Sequence, residues 1–391
     1  MPARVVAILL DPRLHLVGQR QEDKLGWRFR ECCCEVSGSN SMKARPRFVS
    51  VLAVAFLAAA ASSFGESKAP ATDPARLERI RAAKMPPITQ PVLFNTPEGD
   101  AVLAALEVYP ADNPWNQLVT DWPLHPNSAA IVGSVGTTKP LRGNVDMGFV
   151  LVPPNQKRVA VKIVDYPDES DKGPFPVPDS LPIEGWPAGF RRDSSHPTAT
   201  LDDVQRDKFD LGGDRHALVV DPVNRMLYEF YQMKKTASGW QCAQSSVFDL
   251  KSNALRPTGW TSTDAAGLPI FPSVVRYDEL QRGRIDHALR VTVRKSRRAF
   301  IAPATHFASR LADPNLPRMG ERFRLRQDFD VSGFSPAART ILTALKRYGM
   351  FVADNGIEWA ISIAPDERIP VLHEELRRVK GSDFEVVVAP K

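Results

Sequence analysis

Proline punctuates this chain so densely that long helices and central strands have little room to form. The 34 prolines run from Pro2 to Pro390. Each fixes φ and lacks a backbone N–H, so it ends a helix and stays out of the middle of a sheet. Short strands joined by rigid loops are the expected result. Arg158–Val164 (RVAVKIV) alternates as a half-buried strand does. His216–Asp221 and Met226–Gln232 flank Pro222-Val223-Asn224-Arg225, which predicts a hairpin. Ala129–Val135, Trp240–Leu250, His287–Val293, Ala299–Pro303, Met350–Ala353, Glu358–Ile363 and Glu385–Val388 read as further strands. Ala75–Lys84 reads as a short helix. Pro336–Tyr348 is a better one, with Ile341, Leu342, Leu345 and Tyr348 at helical spacing, Ser335 as N-cap and Gly349 as its stop. The pattern predicts a mainly β fold, a β-sandwich or jelly roll with a few peripheral α-helices.

Met42 to Gly65 reads as a secretory signal peptide. Lys43, Arg45 and Arg47 precede the uncharged apolar run Phe48–Ala61, and small residues follow it. The run is shorter than the roughly 20 residues that a membrane-spanning helix needs. The domain reading is therefore an upstream extension at 1–41, with translation starting at Met42, and the signal peptide at 42–65. A lead-in segment covers 66–110, and one large β-rich domain covers 111–391 with a soft sub-boundary within 167–210. Export to the periplasm or the extracellular space is expected, with no integral membrane span after cleavage.

Removing that leader changes the balance of charge. Residues 1–65 carry nine Lys/Arg against five Asp/Glu. Of the 51 basic and 45 acidic residues in the whole chain, 42 and 40 then remain, a net of +2 in place of +6. A near-neutral chain gives no electrostatic case for a nucleic-acid partner. Cys32, Cys33 and Cys34 leave with the upstream stretch, so Cys242 stands alone and no internal disulfide is expected.

The candidate chemistry gathers between Asp214 and His306. Gly212-Gly213-Asp214-Arg215-His216 opens a strand, with Asp214 and His216 as acid–base candidates and Arg215 beside them. The loop Leu255–Asp278 offers Trp260 as a flat sugar-stacking face and Asp264 as a carboxylate or a helix cap. Arg276, Tyr277, Asp278 and Glu279 follow, two carboxylates beside a cation and an aromatic ring. His287 and Arg290 lie on opposite faces of their strand. His306 falls at a strand end. Asp354 and Asn355 sit in an Asp-Asn-Gly turn from which they can also reach a ligand. No HExxH, His-x-His pair, Cys/His cluster, GxSxG elbow or phosphate loop occurs, so no metal and no cofactor are expected.

Long strings in this region, among them Gly213–Asp221, Phe248–Pro272, Val275–Leu280, Gly283–Thr292, Asp313–Leu325 and Leu345–Gly356, resemble a family of uncharacterised secreted proteins of bacteria and some fungi. The resemblance spans about Asn113 to Glu385 and implies export. It carries no catalytic residue across, and the stretch from Gly185-Trp186 to Asp210 is longer than that pattern. The residues themselves point to an exported carbohydrate-active enzyme, a glycoside hydrolase or polysaccharide lyase acting on an extracellular polysaccharide. Asp214, His216, Asp264, Asp278, Glu279 and His287 are the catalytic candidates. Arg215, Trp260, Arg276, Tyr277, Arg290, His306, Asp354 and Asn355 are the binding candidates. The second reading is a non-catalytic glycan- or protein-binding β-sandwich. Observing whether the carboxylates converge on one cleft separates the two.

Overall fold

A computed structural model describes residues 72–189, 196–210 and 213–390. The stretch 1–41, the signal segment and Gly212 lie outside them. The described residues form fourteen strands and seven helices, at 22% strand and 21% helix. Short strands form as expected, but helix matches strand and the sheets are mixed and open. The mainly β sandwich or jelly roll is replaced by a mixed architecture.

The first sheet holds β1 (Val92–Leu93), β3 (Phe149–Leu151), β5 (Ala217–Asp221), β6 (Met226–Tyr231) and β9 (Gln244–Asp249), in that order. β3 and β5 run parallel and the other pairs antiparallel. The second sheet is ordered β14 (Phe384–Val387), β11 (Arg322–Leu325), β12 (Met350–Asn355), β10 (Leu289–Val293), β13 (Ala360–Ile363), β2 (Arg142–Val145). Its β10–β12 and β13–β2 pairs are parallel. A small third sheet holds β4 (Val161–Ile163), β8 (Gly239–Cys242) and β7 (Lys234–Thr236).

Side chains of the first sheet divide between two cores, as alternation along a strand requires. Phe149, Leu151, Leu218, Val220 and Leu227 join the second sheet and the long helix in the larger core. Val150, Ala217, Val219, Tyr228 and Phe230 face the other way, with Trp240 and Cys242 of β8 and with Phe175, Val177, Leu181 and Ile183. Being buried on both faces explains why β3 and β5 are continuous apolar runs. The first sheet is thus the middle layer, and the predicted hairpin lies within it, Val219 opposite Tyr228.

Five helices are α1 (Pro74–Ala82), α2 (Pro97–Ala105), α3 (Ser128–Val135), α4 (Leu201–Gln205) and α5 (Tyr277–Gln281). The others are α6 (Pro336–Arg347) and α7 (His373–Leu376). α6 is the helix expected there, with the Ser335 hydroxyl accepting the Ala338 N–H at 3.4 Å. Gly349 follows with φ 65°, where a Cβ would meet the Phe323 carbonyl oxygen at 2.2 Å.

Several expectations are corrected. Ala129–Val135 is helix α3, because Ile131, Val132 and Val135 bury one helical face. Trp240–Leu250 breaks at Ala243 into β8 and β9, which belong to different sheets. Ala299–Pro303 contributes a single bridge, Phe300 to Met319, rather than a strand. Asp354 and Asn355 continue β12 instead of forming the turn. Trp115 is buried, 3% exposed, and donates its indole N–H to the Ser273 hydroxyl at 2.7 Å.

Candidate functional site

The first and second sheets meet over a loop, Thr261–Ile270, that both of them hold. From the first sheet, Glu229 of β6 accepts the Thr263 hydroxyl at 3.0 Å and the backbone N–H groups of Ile270 and Phe271 at 2.9 Å. Burial pushes the Glu229 carboxyl up to about 7, against the pull of those donors. From the second sheet, Arg290 of β10 grips Asp264 through Nε at 2.8 Å and Nη2 at 2.6 Å, and gives Nη1 to the Ser362 hydroxyl at 2.7 Å. Asp264 is fully buried, so the two-point geometry is what keeps both charges tolerable there. Gly267 completes the loop at φ 74°, where a Cβ would fall 2.1 Å from the Thr305 hydroxyl.

His216, at the mouth of β5, is buried. Its Nδ1 lies 3.1 Å from Glu184 Oε2 and its Nε2 lies 2.8 Å from the Thr263 carbonyl oxygen. Both partners only accept, so both ring nitrogens donate and the ring is an imidazolium. Burial alone would lower His216, but Glu184 outweighs it and raises the ring to about 10. Glu184 is held below its usual range: burial opposes this and the His216 charge prevails. His216 therefore has no free lone pair for the general-base role assigned to it from sequence.

Above the loop an open cleft of about 320 Å³ is lined by Tyr166, Glu169, Asp214, Tyr231, Thr263, His306, Asp354 and Asn355, among others. A strand irregularity aims Asp354 into it. Val291 pairs with Val352 and Thr292 with Asp354, which leaves Ala353 as a bulge. The Ala353 carbonyl accepts the Ala266 N–H of the loop at 2.9 Å. Asp354 is raised to about 7, first by burial and then by Asp264, with Arg290 pulling the other way. Asp214 stands on the rim, exposed overall. The protein packed about its carboxyl raises it, and solvent screens that push. Asp214 also lines a neighbouring cavity of about 250 Å³, together with Asp146, Glu184 and Arg215. Burial, then the Glu184 charge, raises Asp146 to about 7, and Asp146 Oδ1 has no hydrogen-bond partner among the described residues.

The sequence candidates thus separate into two groups. Asp214, His306, Asp354 and Asn355 line the cleft, with His216, Asp264 and Arg290 forming its floor. His306 is fixed by the Ala265 carbonyl, 2.8 Å from Nδ1. Arg215 turns away to Asp207 and the Val204 and Met233 carbonyls. Trp260 is half-buried, with the Arg256 guanidinium 5.5 Å from its ring centroid.

Arg276, Asp278, Glu279 and His287 form a second, buried cluster around α5 and line neither cavity. Arg276 pairs with Glu279, Arg282 with Asp278, and His287 Nε2 lies 2.8 Å from Glu279 Oε1. Burial would raise Glu279, but Arg276 and His287 hold it at about 2. Tyr277 lies under Arg368, 3.9 Å from its ring centroid. This cluster anchors α5 rather than presenting reactive groups. Asp146, Glu169, Glu184, Tyr166, Tyr231 and Glu229 were not singled out from sequence. Each is an isolated residue in an ordinary strand or loop, and only the fold puts them together.

No protein-family model matches the chain, and no curated protein and no solved structure matches it either. Among the described residues no His, Cys, Asp and Glu are grouped so as to hold a metal ion. No helix there is long and apolar enough to cross a membrane. What the cleft offers chemically is a carboxyl poised near neutrality, a second carboxylate at the rim, and tyrosine and histidine walls.

Proposed function

We propose that this protein is an exported carbohydrate-active enzyme that cleaves an extracellular polysaccharide by carboxylate acid–base chemistry. The signal-like segment supports export. The observation that carries the catalytic reading is the convergence of Asp354 and Asp214 on one open cleft, in different environments. Burial raises both, but Asp354 is enclosed while Asp214 stands exposed on the rim, where solvent screens the push. Two carboxyls in such unequal surroundings can divide the acid and base roles. Asp354, raised to about 7, is the acid. It gives its proton to the glycosidic oxygen as that oxygen takes the electron pair of the breaking C–O bond. Ionised Asp214 takes a proton from the water that forms the new C–O bond. The two carboxyls then reset through solvent, and one water is consumed per bond cleaved. Tyr166, Tyr231 and His306 supply faces and hydroxyls for sugar rings.

The test is a polysaccharide panel read for reducing ends and for unsaturated-uronate absorbance. Wild-type turnover is expected to fall as pH rises through about 7, where Asp354 loses its proton. Asp354→Asn is expected to lose about 10²–10⁴-fold in rate. Its folded carboxyl sits above the unfolded value, so the native charge costs stability once pH exceeds the unfolded range. The variant is therefore expected to melt no lower than wild type on the alkaline side of neutrality. Glycan binding without turnover would replace this reading with that of a binding module, and full activity in Asp354→Asn would remove Asp354 from the acid role.

A further inference from the structure

The cleft treats positive and negative charge unequally, and that asymmetry bears on substrate. Two guanidinium groups pack against its lining loop, a third turns away from it, and each is spent on the protein. Arg290 gives its donors to Asp264 and Ser362. Arg256 gives Nη1 to Asp171 at 2.6 Å, Nη2 to the Glu169 carbonyl at 2.8 Å and Nε to the Thr261 carbonyl at 2.8 Å. Arg215 is bound to Asp207 and to backbone carbonyls. No lysine or arginine is among the described lining residues.

The carboxylates are not spent in this way. Glu169 takes one N–H, from Thr261 at 2.8 Å on Oε2. Asp354 takes one, from Asn355 at 2.6 Å on Oδ1. The Asp214 carboxyl takes none from the described residues. Beside the acid Asp354, the cleft therefore holds carboxyl oxygens of Glu169 and Asp214 that the protein leaves free, and no free lysine or arginine among the described lining residues.

Elimination from a uronate needs the opposite arrangement. A cation must neutralise the sugar carboxylate while a base with a lone pair removes the proton beside it. Both nitrogens of His216 are occupied by acceptors, and Arg290 is locked in its pair. Resting on the acid–base reading above, we infer that the cleft hydrolyses a glycan free of carboxylates, and prefers one bearing free ammonium groups, such as an amino-sugar polymer. Glu169 faces the ammonium, Asp214 takes the proton from the attacking water, and Asp354 protonates the leaving oxygen.

Partly deacetylated chitosan, a neutral glucan and polygalacturonate discriminate. The protein is expected to release reducing ends from chitosan about fivefold faster than from the glucan, the worth of one exposed ion pair. It is expected to release none from polygalacturonate, with no unsaturated product. Glu169→Gln should bring the chitosan-to-glucan ratio toward one. Added salt should do the same in the wild type, which keeps the test valid if that variant folds poorly. Cleavage of polygalacturonate, or a ratio unmoved by both salt and Glu169→Gln, overturns the substrate inference and leaves an acid–base glycan enzyme standing. Neither binding nor turnover with any of the three overturns both.

Discussion

His216 carries one lesson at the scale of a residue: titratability is not availability. A histidine opening a strand after Gly-Asp-Arg invites a catalytic role, yet this ring is clamped between a carboxylate and a carbonyl oxygen. Its folded pKa, about 10, lies above the roughly 6.5 of an unfolded histidine. The stabilisation is therefore complete below the unfolded value and is lost as pH rises through about 10. Glu184 is shifted downward, so its share is lost as pH falls through the acid range. His216→Gln is expected to cost about 3 kcal/mol near neutrality, the lower end for breaking a buried pair. In denaturant unfolding across an alkaline series, that gap should close above about pH 10. A gap independent of pH would mean that the ring is neutral.

Among the elements, α6 was the most legible. Its cap, first-turn proline and apolar stripe are local features, and they agree with what forms. Leu345 is fully buried on that stripe, while Arg339 faces solvent. Leu345→Ala is expected to lose about 2–5 kcal/mol, and Arg339→Ala to stay within about 0.5 kcal/mol, both by chemical denaturation. Elements set by partners were harder to read. Ala129–Val135 has the β-branched content of a strand but packs as helix α3, because tertiary burial of one face overrides propensity. The bulge at Ala353 also has no sequence signal, since it exists only in the pairing of β10 with β12.

Over the whole molecule, the loop Thr261–Ile270 is the keystone between the two larger sheets. Arg290 holds it from one and Glu229 from the other. Arg290→Met would leave Asp264 charged, buried and alone, at an expected cost of about 3–5 kcal/mol. Adding Asp264→Asn should recover part of that loss, because the second change removes the orphaned charge. A double variant no more stable than the single one would show that packing around Arg290, rather than the charge pair, holds the loop.

Local chemistry was enough to read the proline-cut strands, the β5–β6 hairpin, α6 and the general stretch in which the reactive groups lie. These depend on backbone constraints and on periodicities of two or 3.6 residues, which neighbours in sequence supply. The grouping of those residues was decided by tertiary structure. Asp354 and Asp214 share a cleft, while Asp278, Glu279 and His287 are committed to one another around α5. An aspartate reads the same in a string of letters whether it ends beside arginine or beside open water. Burial and neighbouring charge set its proton affinity, and both come from chain segments far away in sequence.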